Sequence, residues 1–126
     1  LHSMPPLRAR EGESRAPQIV LGDRFGASCD GNLIERAFRY LEGKARPASH
    51  NRPYSGGYVL DRHASPIRGL HAIQIEVCRS AYLDPAMVDA GLGLQPLAAE
   101  LAELIRELGA DTARLGDRGH NLQAAE

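Results

Sequence analysis

Tryptophan is absent, cysteine occurs only twice in 126 residues, and no apolar run approaches the roughly 18 residues that cross a membrane. Each lack removes a class of protein. Cys29 and Cys78 lie far apart and form no Cys-x-x-Cys pair, which argues against a thiolate zinc site built within the chain. They are expected as buried free thiols in a reducing, cytoplasmic setting, with a single disulfide as the alternative. An excess of one charge is also missing. Fifteen Lys and Arg stand against sixteen Asp and Glu, a formal net charge of -1. Nucleic acid is therefore not the expected partner, because neutralising phosphates needs a concentrated basic surface. No basic-then-apolar signal segment opens the chain, and no membrane association is expected. The first residue is Leu, not Met, which leads us to expect sequence upstream of it.

What is present suits one folded domain. Hydrophobic residues make up 43% and charged residues 25%, the balance of a globular chain. Residues 4–17, with Pro5, Pro6 and Pro17, read as a surface loop. Gln18-Ile19-Val20-Leu21-Gly22-Asp23 reads as a buried strand with a Gly-Asp stop. In residues 30–42, Leu33, Ile34, Ala37, Phe38 and Leu41 recur at helical spacing, and Gly43 ends the run. Residues 45–51 are ambiguous, with a short strand as one reading. Pro53-Tyr54-Ser55-Gly56-Gly57-Tyr58 is a glycine-rich turn, after which Tyr58-Val59-Leu60 reads as the start of a strand. Residues 65–69 form a second turn. Residues 70–77 make the clearest strand. Ile73, Ile75 and Val77 share one face, and Ala72, Gln74 and Glu76 the other. A last helix carries Pro96 in its first turn and a stripe of Leu97, Leu101, Leu104, Ile105 and Leu108, with Gly109 as its cap. Residues 1–109 are thus expected to be part of an α/β domain with helices packed against a sheet. Residues 110–126 are expected to be a flexible tail.

Glu76 carries the most information. A carboxylate in an apolar strand costs several kcal/mol unless it is paired or wet. It faces solvent at a sheet edge or it faces a cleft, where it would suit general acid–base work. His2 stands beside a strand end if Leu1 closes one; otherwise it is a loop histidine. One His does not hold zinc, which needs about three protein ligands in a catalytic site. His50, His63, His71 and His120 form neither His-x-His nor His-Glu-x-x-His patterns. His71 reads as a satisfied boundary residue and His63 as a polar-pocket candidate beside Asp61 and Arg62. Arg79, Arg62 and Arg24 could each hold a substrate carboxylate by a bidentate pair, or each is a surface arginine. Arg79 is preferred because it follows the Glu76 strand. Ser55-Gly56-Gly57 has neither P-loop nor dinucleotide-binding spacing, and no serine sits in a nucleophile elbow. Cys78, near His71 and Glu76, is a minor alternative nucleophile.

Four pieces, taken in order, resemble one family. They are His2-Ser3-Met4-Pro5, the run from Ile19 to Cys29 that contains Gly22-Asp23-Arg24-Phe25-Gly26, Pro53-Tyr54-Ser55-Gly56-Gly57-Tyr58, and His71-Ala72-Ile73-Gln74-Ile75-Glu76 through Asp84. Together they resemble the N-formylglutamate amidohydrolase (N-formylglutamate deformylase) family, over roughly residues 1–108. The resemblance implies a fold like that of zinc carboxypeptidases and aspartoacylases, a mixed sheet flanked by helices, present here only in its C-terminal part. It implies Zn²⁺-dependent hydrolysis of N-formyl-L-glutamate to formate and L-glutamate, late in histidine breakdown. His2 would correspond to one zinc ligand and Glu76 to the catalytic carboxylate. The remaining zinc ligands and an Asn-Arg substrate segment would lie upstream. The family's glycine turn is usually followed by an arginine, whereas here Asp61 precedes Arg62, which puts the register of Arg62 in doubt. A related N-acyl amino acid hydrolase and a non-catalytic binding module on the same scaffold are the alternatives. The incomplete ligand set predicts that the chain alone is inactive. Oligomeric state is not legible.

Overall fold

In a computed structural model, the backbone is described for residues 1–123 and the side chains for residues 1–116. The sheet has four strands in the order β1-β4-β2-β3. They are β1 (His2–Met4), β2 (Ile19–Gly22), β3 (Ala48–His50) and β4 (Gln74–Cys78). β4 runs parallel to β1 and antiparallel to β2, and β2 runs parallel to β3. The expected mixed sheet is present. Parallel β2 and β3 need a crossover, and α1 (Gly31–Gly43) supplies it.

Alternation along the strands sorts the side chains. Ile19, Leu21, Ile75 and Val77 point to one face, where they meet Ala37 and Leu41 of α1 and Leu97, Leu101 and Leu104 of α3 (Leu94–Gln123). This is the helix face and the main core. Met4, Val20 and Cys78 form a smaller cluster on the opposite face, covered by Leu7 and Tyr54 from loops. Both cysteines are free and buried. Asp30 caps α1 by accepting from the Asn32 N–H, and its own N–H donates to His71 Nδ1 at 3.2 Å. His71 is thus a satisfied boundary residue.

Four expectations change. β1 does not end at Leu1 but comprises His2–Met4. Tyr58-Val59-Leu60 begins a helix, α2 (Tyr58–His63), not a strand. The clear strand is shorter at its start, occupying Gln74–Cys78. Gly109 does not end the last helix, and the expected tail from residue 110 continues α3 to Gln123. Leu108 and Leu115 pack beside Cys29, Leu33 and Ile34. Arg36 of α1 reaches Glu107 at 3.1 Å and Asp111 at 3.6 Å, either side of Gly109. These contacts outweigh the roughly 1 kcal/mol that a mid-helix Gly costs. Among the described residues, no helix is long and apolar enough to cross a membrane. His120 and the last residues of the chain lie outside the described side chains.

Candidate functional site

The parallel pairing of β1 with β4 sets His2 opposite Glu76, and the antiparallel pairing of β4 with β2 sets Val20 on the other side. Glu76 therefore projects from a central strand onto the face away from the helices. It is only 6% exposed. Its Oε1 accepts a hydrogen bond from Gln74 Nε2 at 2.9 Å and faces His2 Nδ1 at 3.5 Å. Its Oε2 has no hydrogen-bond partner among the described residues, where no fully buried side-chain nitrogen or oxygen is left without one. Oε2 is thus the oxygen that solvent or a ligand reaches. The sheet brings His2 and Glu76 together, while the sequence left open whether they share a cleft.

The glycine-rich turn lies on this same face. Gly22 pairs with Gln74, and a Cβ on Gly22 would stand 2.7 Å from the Ser55 carbonyl carbon and 2.8 Å from the Gly56 nitrogen. Only a residue without a side chain lets the turn lie flat on the sheet there. The Arg24 N–H donates to the Ser55 carbonyl at 2.8 Å. The Arg24 side chain donates to Asp61 Oδ1 from Nε at 2.7 Å and to the Gly56 carbonyl from Nη1 at 3.4 Å. Arg24, Phe25 and Gly26 all have positive φ, at 55°, 55° and 88°.

A buried polar cluster holds that unusual backbone. Asp23 is 2% exposed and Asn51 5%. Asn51 Nδ2 donates to Asp23 Oδ1 at 2.7 Å, and the Asp23 N–H returns a bond to Asn51 Oδ1 at 3.0 Å. Asp23 Oδ1 also accepts from the Gly26 N–H at 3.1 Å and lies 3.0 Å from His50 Nε2. Sequence reasoning missed Asn51 and His50 as supports of this loop.

Arg79 goes elsewhere. It opens a 3₁₀ turn after β4, and its Nε donates to Ser3 Oγ at 3.0 Å, the oxygen that Tyr82 also reaches. Ser3 pairs with Val77 and so projects to the helix face. Among the described residues, Arg79 is bonded to Ser3, and no hydrogen bond or ion pair joins it to Glu76. Arg62 lies exposed in the last turn of α2. Cys78 is buried in the small cluster with Met4 and Val20, with Sγ 3.0 Å from Ser80 Oγ.

Among the described residues, no three His, Cys, Asp or Glu side chains gather as a metal-binding group. His50 and Asp23 are committed to the loop cluster, which leaves His2 beside Glu76. The described residues alone do not fit a zinc ion, since one imidazole with an adjacent carboxylate falls short of the usual ligand set. The arrangement does offer a shielded carboxylate with one oxygen fixed and the other open, which can take up and release a proton.

The family model for N-formylglutamate amidohydrolase matches residues 1–83. N-formylglutamate deformylase of Pseudomonas putida is 34% identical over 77 residues, covering 57% of this chain and 27% of that protein. Its namesake in Pseudomonas aeruginosa is 32% identical over 74 residues, with the same shares covered. Among solved structures, N-formylglutamate amidohydrolase from Ralstonia eutropha JMP134 superposes with a TM-score of 0.78 at 26% identity, covering 90% of this chain and 42% of that one. The gene product Atu2144 from Agrobacterium tumefaciens shares the fold, with a TM-score of 0.58 at 23% identity, covering 87% of this chain and 40% of that one. The chain thus spans about a quarter of the length of these curated relatives.

Proposed function

The chain belongs to the N-formylglutamate amidohydrolase family, and from that premise we propose that its Glu76 face is the general-base half of a site that hydrolyses N-formyl-L-glutamate to formate and L-glutamate. The observation that carries this is the buried Glu76, with Oε1 held by Gln74 and Oε2 left open. In the reaction, Glu76 accepts a proton from the water whose oxygen bonds to the formyl carbon. It then delivers that proton to the amide nitrogen as the C–N bond breaks, which yields formate and the free amine. Gln74 keeps the carboxylate from turning away. Arg24 and Arg62, on the elements beside the glycine-rich turn, are the proposed anchors for substrate carboxylate.

His2 is proposed as one ligand of a Zn²⁺ ion whose other ligands come from outside the described residues. A cytoplasmic setting and a place in histidine degradation belong to the same proposal, as does a scaffold of zinc-carboxypeptidase type. A second reading, a binding module without catalysis, has an observation of its own: the described residues form no complete metal-binding group.

Two proteins measured together test this. The purified 126-residue chain is expected to hold no stoichiometric zinc and to release no formate from N-formyl-L-glutamate. A chimera carrying residues 1–83 in place of the matching stretch of the P. putida deformylase is expected to hold zinc and to be active. Glu76→Gln in that chimera should lower kcat by roughly 10²- to 10⁴-fold. Activity from the chain alone would show that the half-site reading is wrong. A folded, zinc-loaded but inactive chimera would put the binding-module reading first.

A further inference from the structure

We infer that Asp61 is a built-in competitor for the anion site of Arg24, and so tunes how strongly this face takes a carboxylate ligand. The inference rests on the reading of Arg24 as a carboxylate anchor and adds a residue that this reading does not use. Arg24 is not free to wait for a ligand. Its Nε is 2.7 Å from Asp61 Oδ1, and Nη1 reaches the Gly56 carbonyl at 3.4 Å. Both side chains stay accessible, at 36% for Arg24 and 50% for Asp61, so a ligand carboxylate can reach the same guanidinium.

The backbone shows that the contact is prepared, not incidental. Arg24 sits at φ 55°, held there by its N–H bond to Ser55 and by the Asp23 carboxylate accepting from Gly26 two residues on. Asp61 is fixed as well. Its N–H bonds the Gly57 carbonyl at 3.2 Å, and neighbouring Leu60 is buried against Gly56. Two rigid backbones therefore present one cation and one anion to each other on the Glu76 face. A carboxylate ligand that binds Arg24 must displace Asp61 or share the guanidinium with it, and it meets the repulsion of that like charge in either case.

The test is the binding of glutarate, a dicarboxylate of glutamate's length, to the full chain by NMR chemical-shift titration, with the neutral diamide glutaramide as the control. Because the pair is accessible and screened, Asp61→Asn is expected to tighten glutarate binding by roughly two- to fivefold and to leave glutaramide unchanged. Asp61→Glu, which restores the competing carboxylate, should return the affinity toward that of the parent. Adding Arg24→Gln to Asp61→Asn should remove the gain. Equal affinities in parent and Asp61→Asn would overturn the inference. So would a gain that survives Arg24→Gln, the same gain for glutaramide, or no glutarate binding by any of the proteins. Failure of the hydrolase proposal is read separately. Glutarate binding that follows Arg24 and Asp61 while the chimera stays inactive leaves the anion site standing without the reaction.

Discussion

Gly22 carries a constraint set by one absent methyl group. The glycine-rich turn lies so close to β2 that a Cβ on Gly22 would come within 2.9 Å of three backbone atoms of Ser55 and Gly56. Backbone has no rotamer with which to escape, so Gly22→Ala must lift the turn or bend the strand. We expect a loss of about 1–3 kcal/mol, read as a lower urea midpoint with an unchanged slope. An unchanged midpoint would mean that the turn does not rest on the sheet. At this scale the sequence was uneven. The period of two along β4 put Ile75 and Val77 on one face and Glu76 on the other, as found. β4 ends at Cys78, so that alternation does not reach Arg79, which a 3₁₀ turn directs to Ser3. Glu76's closeness to His2 was not legible, because strand pairing joins opposite ends of the chain without a local signal. Nor did Asp23 and Asn51 announce themselves, since polar residues beside turns look alike until their hydrogen bonds are known.

Helices were harder to bound than strands to orient. Tyr58 and Val59 favour strands by residue type, yet with Leu60 they form the start of α2. The turn that precedes them is pinned by Arg24 and Gly22, and Leu60 must fold back to be buried beside Gly56. In α3, Gly109 looked like a cap because glycine commonly ends helices. The α1 contacts of Leu108, Leu115, Glu107 and Asp111 carry the helix past it. A chain shortened to end at Gly109 tests this at the element's own scale. It should lose helical circular dichroism beyond the share of the deleted residues at Gly109's own turn, which would fray. It should also lose about 1–2 kcal/mol of stability through Leu115 and the Arg36 pair. Full stability in the shortened chain would show that the last turns of α3 contribute nothing to packing.

At the scale of the whole molecule, the layer over the sheet is held partly by groups whose protonation matters, and all of them act in one direction at high pH. Cys29 lies in the α1 cluster that α3 covers. Burial, with help from the Asp23 and Asp30 carboxylates, pushes its thiol from 9.0 up to about 12. The single hydroxyl proton of Tyr40 of α1 is shared between two acceptors of α3, Glu103 Oε2 at 2.7 Å and the Glu100 carbonyl at 2.9 Å. Desolvation, then the bond to Glu103, raises it from 10.0 to about 12. Lys44 is raised above its ordinary 10.5 chiefly by its bond to Glu103. A group that holds its proton more tightly when folded contributes fully below its ordinary value, and that contribution is lost as pH rises through the folded value. The three therefore give a stability that is level near neutrality and falls from about pH 9 toward 12. Glu103 is shifted the other way, lowered from 4.5 mainly by Lys44 and Tyr40, so its contribution is present above that value and fades in acid. Urea midpoints taken across pH should trace this dome. Tyr40→Phe separates the cause from general alkaline unfolding. It should lower the midpoint at pH 8, because the hydroxyl's hydrogen bonding to α3 is gone, yet make the decline above pH 10 shallower. An equally steep decline in Tyr40→Phe would show that the α1–α3 seam does not set the alkaline limit.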